Sequence, residues 1–232
     1  MKKLFTILAF TFTFTFSFAQ TDAKAWLEKM NNTYANAKSV SLNFQVDYYA
    51  GAVQTIPTTT MKGEVRYSGS NYYSDAMGEI VMVNKKYMLV LDKSQQTITC
   101  MPGSGKAKAN DAVSGKPDST WISSDVKILK QTTAECELEI TGNDAVYEKT
   151  DITIDAVTFE LKEIVFRYKK LDDGTSPKLD IKYSDVKLNS GLAASDFSET
   201  KYIVKKNSII TGTGAYAAWK VIDMMDGKIP SE

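Results

Sequence analysis

The chain of 232 residues contains no histidine. That absence removes Ser-His-Asp and Cys-His nucleophilic sites, imidazole general bases, and every zinc or copper site that needs a ring nitrogen. Catalysis would fall to carboxylates, lysine or tyrosine. A surplus of one charge is lacking as well: 28 Lys+Arg stand against 28 Asp+Glu. Without excess cations to displace counterions from a phosphate backbone, nucleic acid is not an expected partner. Proline and glycine are scarce, at 5 and 13, which together with 24% charged and 43% hydrophobic residues excludes a disordered or fibrous chain. Cysteine is confined to Cys100 and Cys136. An even pair in an exported chain permits a disulfide, and two buried free thiols fit the same placement.

Long apolar runs are missing except at the start. Met1, Lys2 and Lys3 precede an apolar and threonine stretch from Leu4 to Phe18, and Ser17 and Ala19 supply the small residues read by a signal peptidase. Residues 1–19 are therefore read as a secretory signal peptide. A membrane anchor would need about 20 consecutive apolar residues. Gln20 rather than cysteine follows, so no lipid attachment site is expected, and the mature chain from 20 to 232 should be unlipidated. Removing residues 1–19 takes away two lysines and no acid, leaving 26 bases against 28 acids, and it leaves all 12 tyrosines and all 3 tryptophans in place. Aromatic rings with a polar tip suit a half-wet apolar surface, and they are also common in strands.

After Asp22, Trp26, Leu27, Met30 and Tyr34 lie at helical spacing, so a helix capped by Thr21 or Asp22 is predicted to about Ala37. The period then changes to two. Val40, Leu42, Phe44 and Val46 alternate with Ser41, Asn43, Gln45 and Asp47, the pattern of a half-buried strand. Strand-like runs recur at Gly63–Tyr67, Asn71–Asp75, Glu79–Val83, Lys86–Asp92 and Gln96–Met101, and again from Val126 through Glu135–Ile140, Val146–Ile154, Thr158–Lys169 and Lys178–Leu188. Between Pro102 and Ser119 alternation is lost, and a surface loop or flap is expected. The short turns between runs imply antiparallel pairing. No linker divides them, so one α+β domain with a long, curling antiparallel sheet is predicted, its helix lying over the concave face, which becomes either a packed core or a ligand cavity.

Several apparent motifs dissolve on inspection. Gly103-Ser104-Gly105-Lys106-Ala107 lacks the first glycine and the Ser or Thr of a phosphate loop, and Asp172-Asp173-Gly174 lacks the later acidic ligands of a calcium loop. Asn31-Asn32-Thr33 fits a glycosylation pattern but falls within the predicted helix. Glu135, Glu137 and Glu139 read as a solvated strand face. Met61, Met77, Met82, Met88 and Met101 could line a site that adapts to ligands of variable shape, or could fill a core. Nothing points to a catalytic residue, a metal or a cofactor.

The layout resembles the LolA family of lipoprotein carriers from the periplasm of Gram-negative bacteria. The resemblance rests on Trp26-Leu27-Glu28-Lys29-Met30, Gly63-Glu64-Val65-Arg66-Tyr67, the hairpin from Glu79 to Asp92, Ser184-Asp185-Val186-Lys187-Leu188-Asn189 and Ser195-Asp196-Phe197. It implies an unclosed, curved, mostly antiparallel β-barrel of the LolA/LppX type. Such a barrel would hold the acyl chains of a lipoprotein, or a free lipid, for transfer to the outer membrane. An inner-membrane releasing transporter and an outer-membrane acceptor would be its partners. The family's Arg-Pro dipeptide has no counterpart, since Ser68-Gly69-Ser70-Asn71 occupies that stretch, and the tail from Thr200 to Met225 runs beyond the family pattern as one or two further strands.

The expected function is thus a non-catalytic, monomeric periplasmic carrier, with a structural or protein-binding module of the cell envelope as the alternative. Candidate lining residues are Val65, Tyr67, Tyr73, Ile80, Met82, Met88, Val90, Leu138, Ile140, Phe159, Phe166 and Tyr183. Their phase is open where strands are apolar on both faces, as at Glu79–Val83 and Tyr87–Leu91.

Overall fold

The computed structural model describes residues 22–103, 119–142 and 144–226. The expected signal peptide and most of the expected loop between Pro102 and Ser119 lie outside the described residues.

The helix forms where its pattern places it. In α1 (Ala23–Ala35) the Asp22 carboxylate accepts a hydrogen bond from the Lys24 amide at 3.1 Å, and Ala23, Trp26, Leu27, Met30 and Tyr34 make the buried stripe. Tyr34 pins the helix to the sheet, because its buried hydroxyl accepts from the Leu161 amide at 3.1 Å.

Two antiparallel meanders build the sheet. The first comprises β1 (Ser39–Tyr49), β2 (Thr59–Ser68), β3 (Asn71–Ala76), β4 (Glu79–Val83), β5 (Tyr87–Asp92) and β6 (Thr97–Pro102). The second comprises β7 (Asp125–Gln131), β8 (Glu135–Thr141), β9 (Tyr147–Asp155), β10 (Leu161–Tyr168) and β11 (Lys178–Leu188). Antiparallel pairing of β1 with β11 joins them. Beyond β11 come β12 (Ile203–Lys206) and β13 (Ile209–Gly212), a separate hairpin, and β14 (Lys220–Asp223), which adds to β6 in parallel. The resulting sheet of 12 strands ends on β14 at one edge and β7 at the other. These edge strands do not pair, so the curved sheet stays unclosed, as expected.

The register separates two faces. Val40, Leu42 and Val46 on β1 stand opposite Tyr67, Val65 and Met61 on β2, and all belong to the concave face under α1. Gly63, opposite Phe44, is required there: a Cβ would lie 2.5 Å from Phe44 Cζ and 2.7 Å from the Asp75 carbonyl oxygen. This core continues through Leu138, Ile140, Ile152, Ile164, Phe166, Ile181 and Tyr183 on β8 to β11. A second core lies on the reverse face of β3 to β6, where Tyr73, Ile80, Met82, Tyr87, Leu89, Leu91, Ile98 and Cys100 pack beneath the carboxy-terminal segment through Phe197, Tyr202, Ile203 and Ile210. Asn84 clamps that segment down, its amide donating to the Phe197 carbonyl at 3.1 Å and to Glu199 Oε2 at 2.8 Å.

Cys100 and Cys136 are free thiols. The disulfide that the sequence permitted is not formed, because β6 and β8 lie near opposite edges of the sheet and the two side chains occupy different cores. Burial pushes both thiols up to about 11.

Candidate functional site

The concave face divides into a part packed under α1 and an apolar strip that belongs to neither core. Under α1 the side chains of β1, β2 and β8 to β11 pack on the helix. On β4, β5 and β6 the same face carries Val81, Val83, Met88, Val90 and Met101, aligned across neighbouring strands: Val81 faces Val90, and Met88 faces both Val83 and Met101. Val83 is buried and the other four are half-buried. Among the described residues none of the five belongs to either core.

A half-open groove of about 820 Å³ lies at the β7 edge, between α1 and the β9–β10 turn. Trp26, Ile128, Ala156 and Phe159 give it an apolar floor, and Lys29, Gln131, Thr132 and Thr133 line its polar margin. Pockets of about 300–1,000 Å³ with few polar groups are the ordinary dimensions of small-molecule sites.

The predicted lining residues sort by face. Val65, Tyr67, Leu138, Ile140, Phe166 and Tyr183 lie on the concave face but belong to the packed core under the helix. Met88 and Val90 lie on the open strip, and Phe159 lines the groove. Tyr73, Ile80 and Met82 point to the reverse face and are covered by the carboxy-terminal segment, so these three are not brought together with the rest. Val81, Val83 and Met101 were missed, since a strand apolar on both faces gives alternation nothing to report.

The reverse face of β1 and β8 to β11 is charged. Glu139 is buried between Lys127 at 2.6 Å and Lys149 at 2.5 Å, and Asp151 pairs with Arg167 at 2.7 Å. Lys182 stands among three acids: Asp180 at 3.1 Å, Asp47 at 3.6 Å and Glu163 at 4.0 Å. Burial, with the neighbouring Asp180 carboxylate, pushes Glu163 up to about 7. A shifted acid pair of this kind is what carboxylate catalysis needs. Here, however, three acids share one lysine and a proton relieves the excess, and neither acid lines the open strip or the helix-edge groove. Among the described residues no group of three or more acidic or cysteine side chains is placed to hold a metal, and no helix is long and apolar enough to cross a membrane.

Together these features define an open, curved antiparallel sheet with a helix over part of its hollow and an apolar strip left outside both cores. Structural comparison finds similar layouts at low identity. A LolA superfamily protein from Nitrosomonas europaea overlaps with a TM-score of 0.37 and 16% identity, covering 77% of this chain and 98% of that one. The lipoprotein LppX of Mycobacterium tuberculosis gives 0.43 and 10%, covering 74% of this chain and 97% of that one. MucB in the Pseudomonas aeruginosa MucA/MucB complex gives 0.39 and 13%, covering 85% of this chain and 63% of that one. No family model matches the sequence, and no curated protein matches it. The overlaps are loose, and the unclosed sheet stands on its own strand pairing.

Proposed function

We propose that the protein is an exported, non-catalytic carrier that holds the acyl chains of a lipoprotein, or of a free lipid, against the concave face of its sheet. One observation carries this reading: β4 and β5 are apolar on both faces, although only the reverse face is used to pack the carboxy-terminal segment. A strand that serves stability alone needs one apolar face, as β8 shows with Cys136, Leu138 and Ile140 inward and glutamates outward. The second apolar face of β4 and β5 is left for a guest.

The energetics suit the role. Burying one methylene stabilises by about 0.8 kcal/mol, so a chain of about sixteen carbons gains roughly 12 kcal/mol on leaving water. A soluble carrier matches that gain only by hiding most of the chain, and release then requires a competing acceptor. An inner-membrane transporter that loads the carrier and an outer-membrane acceptor that unloads it belong to this proposal, as does a periplasmic location. The alternative, a protein-binding module, would have its hollow filled throughout by its own side chains, as the helix side of the sheet has.

The test is mass spectrometry of lipid extracted from the exported protein purified without detergent. The carrier reading expects acyl lipid in near-stoichiometric amount. Protein that carries no extractable lipid and fails to solubilise a synthetic lipopeptide would overturn it.

A further inference from the structure

The groove at the β7 edge has features that a plain acyl channel does not need. Phe159 sits in the left-handed backbone region at φ 58°, a conformation that disfavours a bulky side chain. The turn that holds it is fixed: Asp155 Oδ1 accepts from the amides of Val157 at 2.9 Å and Thr158 at 3.0 Å, and the Phe159 amide donates to the Asp155 carbonyl at 3.1 Å. Glycine would occupy that position without strain. The phenylalanine instead places its ring 5.5 Å from that of Trp26, with the Lys29 ammonium 5.0 Å above it. Lys29 forms no ion pair among the described residues, whereas lysines elsewhere on the sheet, such as Lys127, Lys149 and Lys182, are matched to carboxylates. Trp26, which lines the same groove and is more than nine-tenths buried, has an indole N–H with no acceptor among the described residues.

An unpaired cation held over an aromatic floor, beside a buried donor in need of an acceptor, complements a negatively charged oxygen head on an apolar tail. We infer that the groove between α1 and the β9–β10 turn binds the anionic head of a single-chain amphiphile, with the head at Lys29 and the first methylenes on Phe159 and Trp26. This rests on the carrier reading and narrows its cargo. A head bearing a free carboxylate or phosphate is preferred over a neutral, ester- or amide-linked chain.

The test is displacement of a fluorescent fatty acid, 11-(dansylamino)undecanoate, from the full mature chain by four molecules with the same twelve-carbon tail, each below its micellar concentration. Laurate and dodecyl phosphate carry anionic heads, dodecyl maltoside a neutral one and dodecyltrimethylammonium a cationic one. At least one anionic competitor should displace the reporter at about three- to tenfold lower concentration than the maltoside, and the cationic one should be weakest. Whichever of laurate and dodecyl phosphate is stronger identifies the head as carboxylate or phosphate. Lys29→Gln should abolish the preference, and Phe159→Gly should weaken every competitor by about tenfold with only a small change in melting temperature, because relief of the left-handed backbone offsets part of the lost ring packing. Equal displacement by the maltoside, or a preference that survives Lys29→Gln, would overturn the inference while leaving the carrier reading intact. Failure of every tail to displace the reporter, with no lipid copurifying, would overturn both.

Discussion

The two wings of the sheet bury opposite faces. On the helix side, β1 turns Val40, Leu42, Phe44 and Val46 toward α1 and leaves Asn43, Gln45 and Asp47 outside. On the tail side, β4 and β5 bury Ile80, Met82, Leu89 and Leu91 against the carboxy-terminal segment, and their concave residues stay apolar all the same. One wing follows the economy of an ordinary half-buried sheet. The other keeps a second apolar face that belongs to neither core, and apolar surface beyond what the cores use is a mark of a binding site.

Mutations that remove core volume on either wing should have the largest effect. Leu27→Ala beneath the sheet and Met82→Ala beneath the tail, both at fully buried positions, should each destabilise by about 2–5 kcal/mol in urea unfolding. A much smaller loss at Met82 would break the comparison, for the reverse face would then not be core. Gly63→Ala, where the wings meet, should lose about 1–3 kcal/mol, since its Cβ would meet the Phe44 ring and a backbone carbonyl that cannot withdraw.

A third substitution probes the charged exterior of the helix side. Glu163 is held at about 7, above its ordinary 4.5, so the protonated acid stabilises the fold fully below pH 4.5, and this contribution is lost as pH rises through 7. Glu163→Gln keeps a neutral side chain at every pH. The variant should therefore match the parent at low pH and exceed it by about 1 kcal/mol above pH 7, after allowance for partial solvent screening, as read from unfolding curves across that range. Equal pH dependence in both proteins would show that the Asp180–Glu163 pair does not share a proton.

How far the sequence revealed this arrangement depends on the wing. Where polar and apolar residues alternate, as in β1 and β8, strand and face were legible, and α1 was legible from its cap and stripe, but of the three glutamates read as solvated Glu139 is buried between Lys127 and Lys149. Where β4 reads Glu-Ile-Val-Met-Val, a period of two carries no phase, which is why Ile80 and Met82 were assigned to the hollow while Val81 was overlooked. The parallel addition of β14 to β6 and the packing of Phe197 on the reverse face join residues about a hundred positions apart and leave no local mark. The left-handed Phe159 was equally hidden, since its segment reads as the start of a strand.

The smallest expected change in stability is the sharpest contrast between the two faces. Val81→Thr and Val90→Thr on the open strip should alter unfolding by no more than about 0.5 kcal/mol, because their side chains are half-buried outside both cores, yet they should weaken lipid binding. The corresponding polar replacement of Leu89 or Leu91, both fully buried on the other side of β5, should instead destabilise the protein severely.

The most direct measurement is intermolecular nuclear Overhauser contact between a protonated fatty-acid chain and the methyl-labelled protein. If the concave face of β4 to β6 is the cargo surface, cross-peaks should appear to the methyl groups of Val81, Val90, Met88 and Met101, with none to Leu89 and Leu91 on the reverse of the same sheet. Bound lipid that contacts the leucines, or that leaves the four concave residues silent, would contradict the account.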